Sequence, residues 1–353
     1  MKKAINNTRN LNLDFVRGVA CLLVLLYHYT FRFFEVINQD NPWPVQVSFG
    51  YMGVSVFFML SGYFSIKYTK ESTGLRLFCF KKFLRLFPAY WVALILTGII
   101  TYFFLPERAV SWIDFAINFT MLESFFGVAP VDGVYWTLQY ELLFYLFTAL
   151  AVIVFKKKKI IPQISLVWLF ILIIRDFINI DVVGKFVDKF MIAKYGPIFI
   201  LGYLVYFLLE TKMKRWKRIL IYFEILLSFY YLWRHLGLEY FIFIILAFAF
   251  LIVTVCLSSK GQTGNKIVNK IIHPFTFIAG ISYPLYLVHQ NIGCAIIKTI
   301  GYDQAFGEFV LIIPIVVSIL LAYSINRWIE KPINSYFNKK RQIKEGHLNN
   351  GTK

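Results

Sequence analysis

The sequence predicts an all-α, polytopic transmembrane helical bundle of about ten spans, and three observations predict it. Of the 353 residues, 59% are apolar, including 38 Phe, 22 Tyr and 8 Trp, against about 45–50% in an ordinary soluble protein. The apolar residues gather into runs that are long enough to cross a bilayer and carry few charges. The basic residues between the runs alternate in density, crowded in every second connection and sparse in the others, as in an oriented multi-pass chain.

Taken in order, spans are expected at about 14–34, 50–68, 84–105, 136–155, 160–178, 193–210, 219–235, 238–258, 278–298 and 309–328. The first follows Lys2, Lys3 and Arg9 and extends to about Phe34 without a small-residue cleavage site, so it reads as a retained anchor. The third opens behind a basic stretch and Pro88, and the fourth begins at Trp136 and contains Glu141. The fifth and sixth have uncharged cores at 160–174 and 195–209, shorter than the roughly 20 residues that cross comfortably. Either fits a broken, tilted or re-entrant segment. The seventh contains Glu224, and the ninth contains Pro284, which frees a backbone carbonyl, a usual way to leave helix polarity pointing into a cavity.

Charge tests the map. With the N-terminus inside, one face collects Lys67, Lys70, Arg76, Lys81, Lys82 and Arg85, the run Lys156 to Lys159, and Lys212, Lys214, Arg215, Lys217 and Arg218. Lys260, Lys266, Lys270 and the basic tail join them. The opposite face holds only Arg108, Arg175, Lys185, Lys189, Lys194, Arg234 and Lys298, with Arg17 and Arg32 left at membrane depth. Ten spans with both termini cytoplasmic fit this asymmetry, and it accounts for the net charge of +18 without nucleic acid.

Metal and disulfide chemistry are not indicated. Cys21, Cys256 and Cys294 lie in apolar runs and Cys79 in a cytoplasmic loop, so no outer loop offers a disulfide framework. There is no HExxH, no cysteine pair, no acidic cluster for magnesium or calcium, and no glycine-rich phosphate loop. The outer connections 35–49, 106–135 and 179–192 are the longer ones, with Pro42, Trp43, Pro44, Trp112, Phe125 and Phe126 among their residues. The run from Trp112 to Phe126 fits an amphipathic segment on the membrane surface. Such loops suit reception of a large polar substrate, and equally an aromatic belt.

Polar groups at membrane depth are expensive and mark function. Arg17 and His28 are separated by 11 positions, about 20° past three full turns, so they share a helix face about 16 Å apart. Asp14 and Arg32 lie near the same stripe. Glu141 falls about 8 Å below the start of its span and His28 about 9 Å below the end of its own, so the two can occupy one depth. A carboxylate near an imidazole raises its basicity and fixes its tautomer, as a general base requires. A buried pair that merely locks two helices has the same signature. Ser61 beside Gly62 reads as a helix-packing residue or a site residue, and His289 as a structural partner or a participant. Lys81, Lys82 and Arg85 serve as orientation charges or as a phosphate-binding cluster.

The segments Leu13-Asp14-Phe15-Val16-Arg17-Gly18 running to His28, Gly53 to Tyr63, Phe80 to Tyr90, Tyr135 to Tyr145, Ile281 to His289 and Ile329-Glu330-Lys331-Pro332 together resemble the integral-membrane acyltransferase 3 family, which modifies surface glycans. The resemblance spans nearly the whole chain in the family's order. It implies a ten-span acyltransferase domain over residues 1–335, followed by a basic cytoplasmic tail at 336–353, in the bacterial cytoplasmic membrane. It implies that His28 is the essential histidine, Arg17 its partner arginine and Glu141 the acid heading the fourth span. Arg85, Lys82, Lys81 and Ser61 would hold the donor, with Lys82 standing where the family commonly has arginine. Asp14, Tyr145, Tyr283 and His289 would line the cavity. Acetyl-CoA is then the co-substrate, with no permanently bound cofactor. A surface polysaccharide, a lipid-linked glycan or a small sugar is the acceptor, and membrane lipids surround the bundle. A transporter or flippase for a glycan or its lipid-linked precursor is the alternative use of such a bundle, and a membrane scaffold a third.

Overall fold

The computed structural model describes residues 10–37, 39–41, 43–69, 74–177, 181–259, 266–301 and 307–337. Lys2, Lys3, Arg9, Pro42, Lys70, Lys260 and the basic tail beyond Phe337 lie outside them. The described residues contain no strand. In chain order the helices are α1 (Leu11–Tyr27), α2 (Phe33–Ile37), α3 (Gly53–Tyr68), α4 (Leu75–Phe104), α5 (Trp112–Asn118) and α6 (Glu123–Phe126). Then come α7 (Trp136–Phe155), α8 (Ile161–Arg175), α9 (Asp181–Phe190), α10 (Gly196–Glu210) and α11 (Arg215–His235). The series ends with α12 (Leu238–Ser259), α13 (Lys266–Gly280), α14 (Ser282–Val288), α15 (Gln290–Ile300) and α16 (Ile312–Ile325).

Among the described residues, six helical stretches are long and apolar enough to cross a membrane: Leu11–Ile37, Ser48–Tyr68, Leu75–Phe104, Gly133–Ile153, Leu238–Ser258 and Phe309–Phe337. The chain is an all-α, multi-pass membrane bundle. The other expected spans fall on helices that are short (α8 and α10), polar (α11, with Arg215, Lys217, Arg218, Glu224 and Arg234) or interrupted. The interrupted one is the ninth, expected as one span over about 278–298. Instead α13 ends at Gly280, α14 opens at Ser282 and α15 at Gln290. Pro284 therefore sits in the first turn of α14, where a missing N–H breaks no helical bond. The third span also differs, because α4 starts at Leu75 and carries Pro88 inside it. At about 45 Å it is longer than the roughly 30 Å hydrocarbon core, so Lys81, Lys82 and Arg85 belong to its first turns.

The described chain forms two compact units. The first comprises residues 1–24, 49–72 and 140–280, and α10 is its central column. That helix is apolar on every face, and it is buried from Gly196 to Val205, which is what an all-round apolar helix requires. Phe199 stacks on Phe58 and Phe144 with centroids 4.5 and 4.2 Å apart. Gly62 of α3 sits on the Phe199 carbonyl and Gly202 of α10 on the Met59 carbonyl, with no room for a Cβ at either. Small residues let the two backbones touch, a usual way for membrane helices to gain packing where water drives nothing. Glu224 of α11 is fully buried, and the Ser165 hydroxyl of α8 donates to its Oε2 at 2.6 Å.

The second unit comprises residues 25–48, 73–139 and 281–353. Within it α14 packs on α4 and α16, and α15 on the same two helices. The loop before α7 is folded in rather than laid flat. Asn118 is fully buried; its Nδ2 donates to the Asp114 and Ala129 carbonyls and its Oδ1 accepts from the Val131 N–H. Trp112, Ile113 and Phe126 remain exposed on the short helices, consistent with contact to the membrane surface.

Candidate active site

α1 does not end as an α-helix. At His28 it widens into a π turn, His28–Arg32, a local insertion that recurs at functional sites. Its irregular backbone is satisfied by side chains: Asn41 Nδ2 donates to the Thr30 carbonyl at 2.6 Å, and Thr30 Oγ1 accepts from the Val47 N–H at 3.0 Å. The wider turn rotates whatever follows it. Arg32, expected at membrane depth on the Arg17 face, is accordingly exposed and paired with Glu35 at 2.6 Å.

The turn presents His28, 8% exposed, to His289, 1% exposed. His28 Nδ1 and His289 Nε2 are 3.1 Å apart, and the rings meet edge-on at a centroid distance of 4.8 Å. Behind them the Tyr29 hydroxyl donates to the His289 carbonyl at 2.8 Å and meets Ser318 Oγ at 2.8 Å. Tyr286 bonds to Thr137 and to the Val134 carbonyl, and Tyr283 donates to the Leu86 carbonyl at 2.8 Å. Five elements thus hold one buried imidazole pair.

Glu141 lies in the other unit. Its Oε1 accepts from Ser61 Oγ at 2.8 Å and from the Tyr145 hydroxyl one helical turn away. Ser61, expected with the donor-binding group, thus has the Glu141 carboxylate as its partner. Arg17, half-buried in that same unit, places its guanidinium 5.3 Å from the Phe64 ring centroid, and Asp14 lies half-buried one turn before it. At the start of α4, Lys81 and Arg85 are exposed, while Lys82 is half-buried with Nζ 5.6 Å from the Phe78 ring centroid. Glu330 lies within electrostatic range of Arg85, and Asn326 Nδ2 donates to its Oε2 at 2.5 Å.

A second polar cluster escaped the sequence reading. Asp132, fully buried, caps the turn leading into α7 by accepting from the Val134 N–H, and its Oδ2 accepts from the Asn291 N–H at 3.0 Å. It therefore ties the loop to the residue two beyond His289. Its only sequence signal was its place just before a helix start, where an acid reads as a cap. Burial pushes its carboxyl from 3.8 up to about 6, with Arg108 and the two N–H groups opposing. A folded-state value raised in this way favours the protonated form. The associated stability is full below 3.8 and is lost as pH rises through about 6. Asp132→Asn is expected to flatten that slope, read as the wild-type-minus-variant difference in thermal midpoint across the same window. Parallel curves would show that the carboxyl titrates normally.

Among the described residues, no group of three His, Cys, Asp or Glu side chains is placed to hold a metal ion.

The family model described as "Acyltransferase domain" (Acyl_transf_3) matches residues 10–326. The chain belongs to this acyltransferase family. The matched stretch takes in every candidate residue named above. Among curated proteins, the acyltransferase-family chain is 30% identical over 158 residues to nodulation protein 10 of Rhizobium leguminosarum, covering 38% of this chain and 42% of that one. It is 27% identical over 175 residues to the peptidoglycan O-acetyltransferase OatA of Listeria monocytogenes, covering 44% and 26%. It is 28% identical over 195 residues to an O-acetyl transferase of Shigella phage Sf6, covering 49% and 52%. The chain thus spans between about a quarter and about half of the length of these relatives. No solved structure matches it.

Proposed function

We propose that the protein is a membrane O-acyltransferase that moves an acetyl group from cytoplasmic acetyl-CoA to a hydroxyl of a cell-surface or lipid-linked glycan. The observation that carries this reading is the family match over residues 10–326, which encloses the buried imidazole pair. The names of the Listeria and phage relatives, a peptidoglycan O-acetyltransferase and an O-acetyl transferase, support acetyl as the group and a glycan as the acceptor. The basic asymmetry of the connections supports about ten spans with both termini cytoplasmic, and a bacterial cytoplasmic membrane is the proposed setting. Residues 1–335 would act as a single acyltransferase domain and 336–353 as a basic tail.

In this reading His28 takes the proton of the acceptor hydroxyl as its oxygen attacks the thioester carbonyl. The tetrahedral oxyanion collapses, the C–S bond breaks, and the thiolate of CoA leaves with the proton returned by the imidazolium. Glu141, held by Ser61 and Tyr145, is the acid on which transfer depends, and Arg17 orients the donor. Asp14 and Tyr145 line the path. Arg85, Lys82 and Lys81 hold the CoA phosphates, Arg85 with its bidentate fork.

Mass spectrometry of surface glycans from cells with and without the protein tests the reading. An added acetyl group that depends on the protein is expected. Movement of a lipid-linked glycan without acetylation would make it a transporter instead. Arg85→Ala is expected to raise the acetyl-CoA concentration at half-maximal rate about 10-fold, the loss of one charged hydrogen bond, with the saturated rate little changed. An unchanged donor requirement would remove Arg85 from the donor site.

A further inference from the structure

We propose that His289 is a positioning residue for transfer, one that sets the tautomer of His28 and thereby selects which ring nitrogen receives the proton. The inference rests on His28 being the base and deepens that reading.

The chain of donors begins at the break between α14 and α15. His289 Nδ1 lies 2.9 Å from the Tyr286 carbonyl oxygen and 3.1 Å from that of Leu285. Carbonyl oxygens only accept, so Nδ1 carries a proton and donates. In the neutral ring Nε2 then holds a lone pair. It lies 3.1 Å from His28 Nδ1, so His28 must be the donor between them. A neutral His28 thus carries its proton on Nδ1 and offers the lone pair of Nε2. The relay resembles the carboxylate–imidazole arrangement of hydrolase triads, in which an orienting acceptor fixes the base in one tautomer. Here the acceptor is a second imidazole, anchored by backbone carbonyls in the last turn of α14.

The anchor is rigid. The His289 N–H donates to the Leu285 carbonyl at 3.1 Å, and its own carbonyl accepts from Tyr29. Tyr29 is fully buried and its ring lies against Gly293, where no Cβ would fit. His28 and Tyr29 are neighbours on the π turn, so the turn and the break are fastened at two points. Tyrosine rings stand against the pair: Tyr27 edge-on to His28, and Tyr29 and Tyr286 beside His289.

Two substitutions separate positioning from simple bracing. His289→Asn puts an amide N–H near the Nδ1 position and keeps the bonds to the Leu285 and Tyr286 carbonyls, but its side chain is too short to reach His28. His289→Gln extends an amide oxygen to the Nε2 position and supplies the acceptor for His28 Nδ1–H. With membranes as the acceptor source and acetyl-CoA as donor, Asn is expected to lower the saturated rate about 10²-fold, the usual cost of a misplaced catalytic group. The half-saturating acetyl-CoA concentration should stay the same. Gln is expected to recover most of the rate.

Equal rates for the two variants, or Asn above Gln, would overturn the proposal. If either is too unstable to purify, the comparison is made in membranes per amount of protein, and an equal loss in both counts against positioning. His28→Ala distinguishes the two levels. Transfer surviving in His28→Ala sinks the base assignment itself, whereas a dead His28→Ala with Asn equal to Gln sinks only the role of His289.

Discussion

His28→Ala is expected to abolish detectable acetyl transfer while leaving the amount of protein in the membrane near that of wild type. A sugar hydroxyl is a poor nucleophile until a base takes its proton as it attacks, and positioned proton transfer is worth about 10²–10⁴-fold in rate. The substitution also leaves His289 Nε2 without its donor at 3.1 Å, and an orphaned buried acceptor costs about 1–3 kcal/mol. His28→Asn keeps an amide N–H near the Nδ1 position that faces His289 and removes most of that structural penalty. It remains unable to take a proton. An Asn variant as inactive as Ala but more stable would separate chemistry from packing. Substantial transfer in either would end the case for His28.

Glu141→Gln is expected to have the second-largest effect, a drop of about 10²-fold in the saturated rate. The observed geometry makes this a test of charge. Oε1 accepts from Ser61 and Tyr145, and a glutamine oxygen can accept from both in the same geometry. The fold should therefore tolerate Gln, whereas Glu141→Ala strands two hydroxyls and is expected to lower the thermal midpoint as well. Full activity in the Gln variant would make Glu141 a helix-locking residue.

Much of the membrane architecture was legible, because hydropathy and charge asymmetry are set residue by residue. The first, second, third, fourth, eighth and tenth expected spans all fall on stretches able to cross a bilayer. What was hidden depends on events that averaging erases. A hydropathy window over 278–298 passes across the breaks at Ile281 and His289 without registering either. The π turn at His28 adds to the helix nothing that composition reveals. Pairings across long stretches of sequence, such as Asp132 with Asn291 or His28 with His289, carry no local period at all. The candidate residues could be named from the motifs. Which atom faces which could not.

The contact of Gly62 and Gly202 with opposing backbone reaches further than packing. Ser61, the residue before Gly62, donates to Glu141, so the register of α3 on α10 decides where that hydroxyl points. A methyl added at position 202, remote in sequence from the carboxylate, would push against the Met59 carbonyl and shift the ledge on which Ser61 stands. Variation in α10 should therefore be felt as altered chemistry at α7, with no candidate residue changed.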